Sequence, residues 1–75
     1  MQSEAGNRIL ARAIVDVELP ALNGHLGQYK VEVWGEEPHD YVRYYTVRAK
    51  SDNLAAQEGL RRFVEEIEAL IAKGK

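Results

Sequence analysis

Four groups able to do chemistry stand within five residues of one another: Glu36, Glu37, His39 and Asp40, in the stretch GEEPHDYVRYY at 35–45. Carboxylates and imidazole ligate divalent metals, and a His held by an Asp is how many general bases are built. Both chemistries demand convergence. A metal shell needs its donors aimed at one point, and a nucleophile needs a base that a third group orients. A single turn rarely supplies this, and His39 and Asp40, as neighbours in an extended segment, point apart. The other histidine, His25, falls in a different turn, and the chain has no cysteine to complete a shell. Its serines are Ser3, near the start, and Ser51, placed to begin a helix. Gly24 and Gly27 lie between two strands rather than between strand and helix, so they form no phosphate loop. The expectation is a non-enzymatic chain with no catalytic residue, no cofactor and no metal.

The bulk numbers narrow the class further. A chain of 75 residues makes one domain near the lower limit of what a core can stabilise without staples. With 45% hydrophobic and 29% charged residues it is too apolar to stay disordered. Without cysteine it has no disulfide framework, which fits a reducing compartment. The start, MQSEAGNR, lacks the basic and apolar regions of a signal peptide, and no apolar run approaches the roughly 20 residues of a membrane span. A soluble, cytoplasmic protein with no membrane partner is expected. A net charge of -2 gives no global basic field and disfavours nucleic acid as a partner. So small a core also makes self-association a further means of burying apolar surface.

The elements that would position these residues follow from periodicity. Residues 1–8 are polar and expected to be flexible; residues 9–75 are read as one small α+β domain. From Ile9 the chain alternates, with Ile9, Ala11, Ala13, Val15, Val17 and Leu19 on one side, as in a half-buried strand. A short helical opening over residues 9–14 is the alternative. Pro20 ends the strand, and Asn23-Gly24 supplies positive φ for a turn. A second strand spans about 28–34, with Tyr29, Val31 and Val33 inward. After the turn GEEPHD, a third spans about 41–50, with Tyr45, Val47 and Ala49 inward and a bulge expected near residues 41–44. Ser51, Asp52 and Asn53 offer a cap. Ala56, Leu60, Phe63, Val64, Ile67, Leu70 and Ile71 then mark the apolar stripe of a helix. Pairs four apart, Glu58–Arg62, Arg61–Glu65 and Arg62–Glu66, line its outer side. Gly59 at the stripe's margin suggests close approach to the sheet. The fold class expected is a three-stranded antiparallel meander with one C-terminal helix packed on one face, β-β-β-α, in two layers.

The helix leaves the even-numbered face of the sheet uncovered. Most of that face is polar, but Ile14, Trp34 and Tyr44 are not. Pairing Val33 with Tyr45 and Val31 with Val47 would set Trp34 opposite Tyr44. These aromatics serve hairpin stability alone, a protein interface, or a platform on which bases stack. The adopted reading is an interaction module binding protein, self-association included, through Ile14, Trp34 and Tyr44 with Arg12, Lys30 and Arg48 around them. The alternative is RNA binding, with His39, Arg48 and Lys50 as contacts; Asp16, Glu18 and Glu32 on the same face oppose it.

From YKVEVWGEEPHDYVRYYTVRA into LAAQEGLRRFVEEIEAL the chain resembles the double-stranded RNA-binding domain. That family joins strands by a loop carrying a Pro-x-His element, followed by an aromatic strand and an alanine-rich helix. The resemblance implies that His39 reaches a minor groove. It departs where the family's final helix opens on lysines, since Asp52, Asn53, Leu54, Ala55, Ala56 and Gln57 stand here. Pro38 and His39 are adjacent rather than spaced, and the family's first helix is missing or very short.

Overall fold

Alternation, turn chemistry and capping each act locally, and together they set the order of elements. The computed structural model describes residues 9–74, so the flexible segment expected over residues 1–8 lies outside the described residues. Three strands, β1 (Ala11–Leu19), β2 (Gly27–Gly35) and β3 (Val42–Ala49), pair antiparallel in the order β1-β2-β3. One helix, α1 (Asp52–Lys73), follows and covers one face. This is the expected two-layer β-β-β-α arrangement. Ala11–Leu19 is a strand and not the alternative helical opening, because its apolar alternation matches the buried side of β2 from Ala11 to Val17.

Asn23 and Gly24 take φ of 51° and 81°, and the His25 N–H donates to the Leu22 carbonyl at 2.9 Å. Two successive positive φ values give the turn the twist that suits a hairpin. Ser51 is extended and its hydroxyl accepts from the Leu54 N–H at 3.2 Å, satisfying one of the orphan amides of the first helical turn.

The core is formed by Tyr29, Val31, Val33, Val47 and Ala49 from the sheet and Ala55, Phe63 and Ile67 from the helix. The helix is rotated relative to the expected stripe. Its buried line runs Ala55, Gly59, Phe63, Ile67, while Leu60 and Ile71 pack from the side and Leu70 remains 38% exposed. Gly59 is therefore at the centre of the contact and not at its margin. A Cβ there would lie 2.5 Å from Val31 Cγ1 and 3.0 Å from Val31 Cβ, so only glycine lets the helix axis come this near β2. Hydrophobic weighting overlooks Ala55 and Gly59 because small side chains mark the closest approach.

Two further expectations change. The β2–β3 pairing is regular from Val42 onward, and the irregularity falls in β1, between Val17 and Leu19. Val17 points to the helix side of the sheet yet remains 54% exposed, and past the shift Leu19 stands opposite Gln28 of the outer face, 60% exposed.

Candidate interaction surface

The acidic turn is a hairpin connection. The Gly35 N–H donates to the Tyr41 carbonyl and the His39 N–H to the Glu36 carbonyl, both at 2.8 Å. A Cβ at residue 35 would overlap the His39 carbonyl oxygen, so glycine lets the returning chain cross close by. Among the described residues, no three His, Asp or Glu side chains converge to hold a metal ion. Glu36 turns toward Arg12 instead, at 3.5 Å.

Closing the hairpin at Gly35–Tyr41 sets the register. Val31 faces Tyr45 and Tyr29 faces Val47, two residues away from the expected pairing. Trp34 thus lies between Arg12 and Val42, and Tyr44 lies opposite Glu32, to which its hydroxyl donates at 3.4 Å. Trp34 and Tyr44 are diagonal neighbours, still within reach of large side chains. The expected opposition failed because register depends on where the turn closes, which composition does not show.

The outer face divides into two halves. Toward the β2–β3 turn stand Leu10, Ile14, Trp34, Val42 and Tyr44, with Arg12 and Glu32 among them. Ile14 is 49% and Tyr44 60% exposed, and a shallow depression of about 600 Å³ is lined by Arg12, Ala13, Ile14 and Trp34. The other half is polar: Asp16, Lys30, Thr46, Gln28 and Arg48. Of the six side chains expected to form the interaction face, Arg12, Ile14, Trp34 and Tyr44 share the apolar half, and Lys30 and Arg48 belong to the polar one. The alternative RNA contacts do not gather. His39 is in the turn at one end of β3 and Arg48 and Lys50 are at the other, roughly 25 Å apart along an extended strand.

Sequence reasoning missed the difference between the two edges of the sheet. The Glu36 N–H donates to the Leu10 carbonyl, so even residues of β1 bond to β2 and the amides and carbonyls of Ala11, Ala13, Val15 and Val17 point outward. Among the described residues none of these has a hydrogen-bond partner. By the same logic the Gly35–Tyr41 bond turns the backbone of Val42, Tyr44, Thr46 and Arg48 to the free edge of β3. Here the carbonyls of Val42 and Thr46 accept from Arg43 Nη1 at 2.9 Å and Arg62 Nη1 at 3.4 Å.

Those guanidinium groups are held in place. Arg43 Nε donates to Glu66 at 2.6 Å, and the Tyr45 hydroxyl donates to the other Glu66 oxygen at 2.7 Å. The guanidinium also lies 5.4 Å from the centre of the Tyr41 ring. Hydrogen bonds from Arg43 and Tyr45 hold the Glu66 carboxyl below its ordinary range. Burial, then the bond to Glu66, pushes the Tyr45 hydroxyl up to about 12. Arg62 Nε donates to Glu58 at 2.8 Å, and Arg61 pairs with both Glu58 and Glu65. The expected Arg62–Glu66 pair is replaced, because Arg43 enters from the sheet and takes Glu66. Arg43 and Tyr45 occupy inward positions of β3, and polar groups at two inward positions were the sequence signal for this clamp.

Comparison of the chain with models of protein families, with curated proteins and with solved structures finds no match. No helix among the described residues is long and apolar enough to cross a membrane.

Proposed function

We propose that this chain is a small, non-enzymatic module that binds protein through the uncovered surface of its sheet. The observation that carries the reading is the union of two features at one place. An apolar patch of Leu10, Ile14, Trp34, Val42 and Tyr44, with Arg12 and Glu32 set among them, adjoins a strand edge whose backbone groups are unpaired. Patches rimmed by polar groups mark interaction sites, and an open edge accepts a further strand through main-chain hydrogen bonds. Tryptophan and tyrosine supply large contact areas there. The polar half of the face mixes Asp16 with Lys30 and Arg48, which suits a solvated surface better than a phosphate track.

Light scattering over a concentration range, with Trp34 emission followed in parallel, tests this. The expected result is a mass that rises with concentration while the Trp34 emission shifts to the blue. A monomer with unresponsive Trp34 emission, together with salt-sensitive RNA binding that Arg48→Glu weakens, would replace the reading with nucleic-acid recognition.

A further inference from the structure

We infer that the partner at the β1 edge is a second copy of this chain, added antiparallel about a two-fold axis at Ile14, so that two sheets become one of six strands. This rests on the protein-binding reading above and names its occupant and register.

The outward-pointing residues of β1 are 11, 13, 15 and 17, all odd. Two copies of β1 related by a two-fold axis must therefore pair residues of equal parity, which leaves few registers. With Ile14 opposite the partner's Ile14, Arg12 faces the partner's Asp16 and Asp16 faces the partner's Arg12. On the helix side Ala13 meets the partner's Val15 and Ala11 meets the partner's Val17, apolar against apolar. Moving the axis to Val15 sets Asp16 against Ile14, and moving it to Ala13 sets Arg12 against Ile14. An axis at Arg12 or Asp16 places like charges together. Only the Ile14 register pairs every charge between residues 11 and 17 with its opposite.

The backbone geometry strengthens the same choice. Even residues would form the non-hydrogen-bonded pairs of the new seam, where facing side chains come closest, and odd residues would supply about eight main-chain hydrogen bonds. In the single chain Arg12 is 79% exposed with only a 3.5 Å contact to Glu36, and Asp16 makes no ion pair among the described residues. Val17, 54% exposed on the helix side, gains Ala11 of the partner as a neighbour. Because arginines sit on the β3 edge carbonyls, assembly closes at two copies instead of continuing strand by strand.

Charge exchange tests the register. Arg12→Asp and Asp16→Arg both change exposed side chains, and circular dichroism checks that each variant stays folded. The chain, of 8.5 kDa, is expected to approach twice that mass in sedimentation equilibrium. Each single reversal turns two facing pairs from attractive to repulsive and weakens the dimer at least about tenfold. Mixing the two variants restores a heterodimer, and the double variant restores a homodimer. If single reversals leave the dimer unchanged, or mixing fails to restore it, the register is overturned. Loss of association in Tyr44→Asp under that outcome would keep the protein-binding reading and move the contact to the outer face. A chain that stays monomeric to about 1 mM overturns the second copy as partner, whatever other protein shifts Trp34 emission.

Discussion

The two edges of this sheet are built from similar strands and differ in what lies against them. β1 and β3 have nine and eight residues, each pairs antiparallel with β2, and each turns alternate backbone groups to the outside. At β3 two of those carbonyls are occupied by Arg43 and Arg62, and Glu66 holds Arg43 beneath the helix. At β1 the helix contributes apolar contact but, among the described residues, no hydrogen bond or ion pair. An edge is closed by side chains that reach its carbonyls, and a helix lying over the neighbouring face does not close it unaided. The two arginines thus cap β3 in part and leave β1 the more open of the two edges.

The largest effect expected on this contrast comes from removing what seats the helix. Phe63 is fully buried, and its ring would lie 3.0 Å from a Cβ at residue 35. Phe63→Ala is expected to cost about 3–5 kcal/mol, a large share of the stability of so small a domain. Thermal unfolding followed by circular dichroism should lose its cooperative transition, and with it any difference between the edges. Next in size is Gly59→Val, which forces a branched side chain into Val31 and should destabilise by about 1–3 kcal/mol through overpacking. Urea unfolding should show a lower midpoint, and adding Val31→Ala should recover part of the loss.

Glu66→Ala acts on the contrast itself. Because Glu66 and Arg43 are both partly exposed, the expected loss is only about 1 kcal/mol after solvent screening. The larger consequence is structural, since Arg43 is released and the β3 edge opens. Light scattering should then detect species beyond the dimer, growing with concentration, whereas the unmodified chain is expected to stop at two copies.

The smallest effects are those of pH, and their signs differ. The Tyr45 hydroxyl is raised from 10.0 to about 12, so its contribution is complete below pH 10 and lost as pH rises through 12. The Glu66 carboxyl is lowered, and Glu58, bonded by Arg61 and Arg62, is lowered from 4.5 to about 2. Their contributions are present above pH 4.5 and lost as pH falls below it, that of Glu58 as pH approaches 2. Unfolding midpoints measured across pH should decline at both ends; Tyr45→Phe should flatten the alkaline limb and, by removing one of the two bonds that lower Glu66, also reduce the acid limb in part.

How much of this was legible in the sequence depends on the range over which each feature is decided. The meander and helix were legible because alternation, Asn23-Gly24 and the Ser51 cap act within a few residues. Parity also assigned Arg12, Ile14, Trp34 and Tyr44 to one face. The opposition of Trp34 and Tyr44 was not legible, since Gly35 lets the chain turn back sooner than GEEPHD suggests. Nor was the helix rotation, because Gly59 and Ala55 carry no hydrophobic weight at the point of nearest contact. The clamp joins Arg43 to Glu66 across 23 residues. No periodicity connects them. Two polar groups at inward positions of β3 marked that something must meet them, but Glu66 as the partner, and with it the contrast between the edges, emerged only from side chains meeting in space.

The central claim, that β1 is the more open of the two edges, is tested most directly by amide chemical shifts recorded as the protein concentration is raised. The amides of Ala11, Ala13, Val15 and Val17 should move together along one curve with a common Kd, while those of Val42, Tyr44, Thr46 and Arg48 stay in place. Movement confined to the β3 amides, or equal movement at both edges, would contradict it.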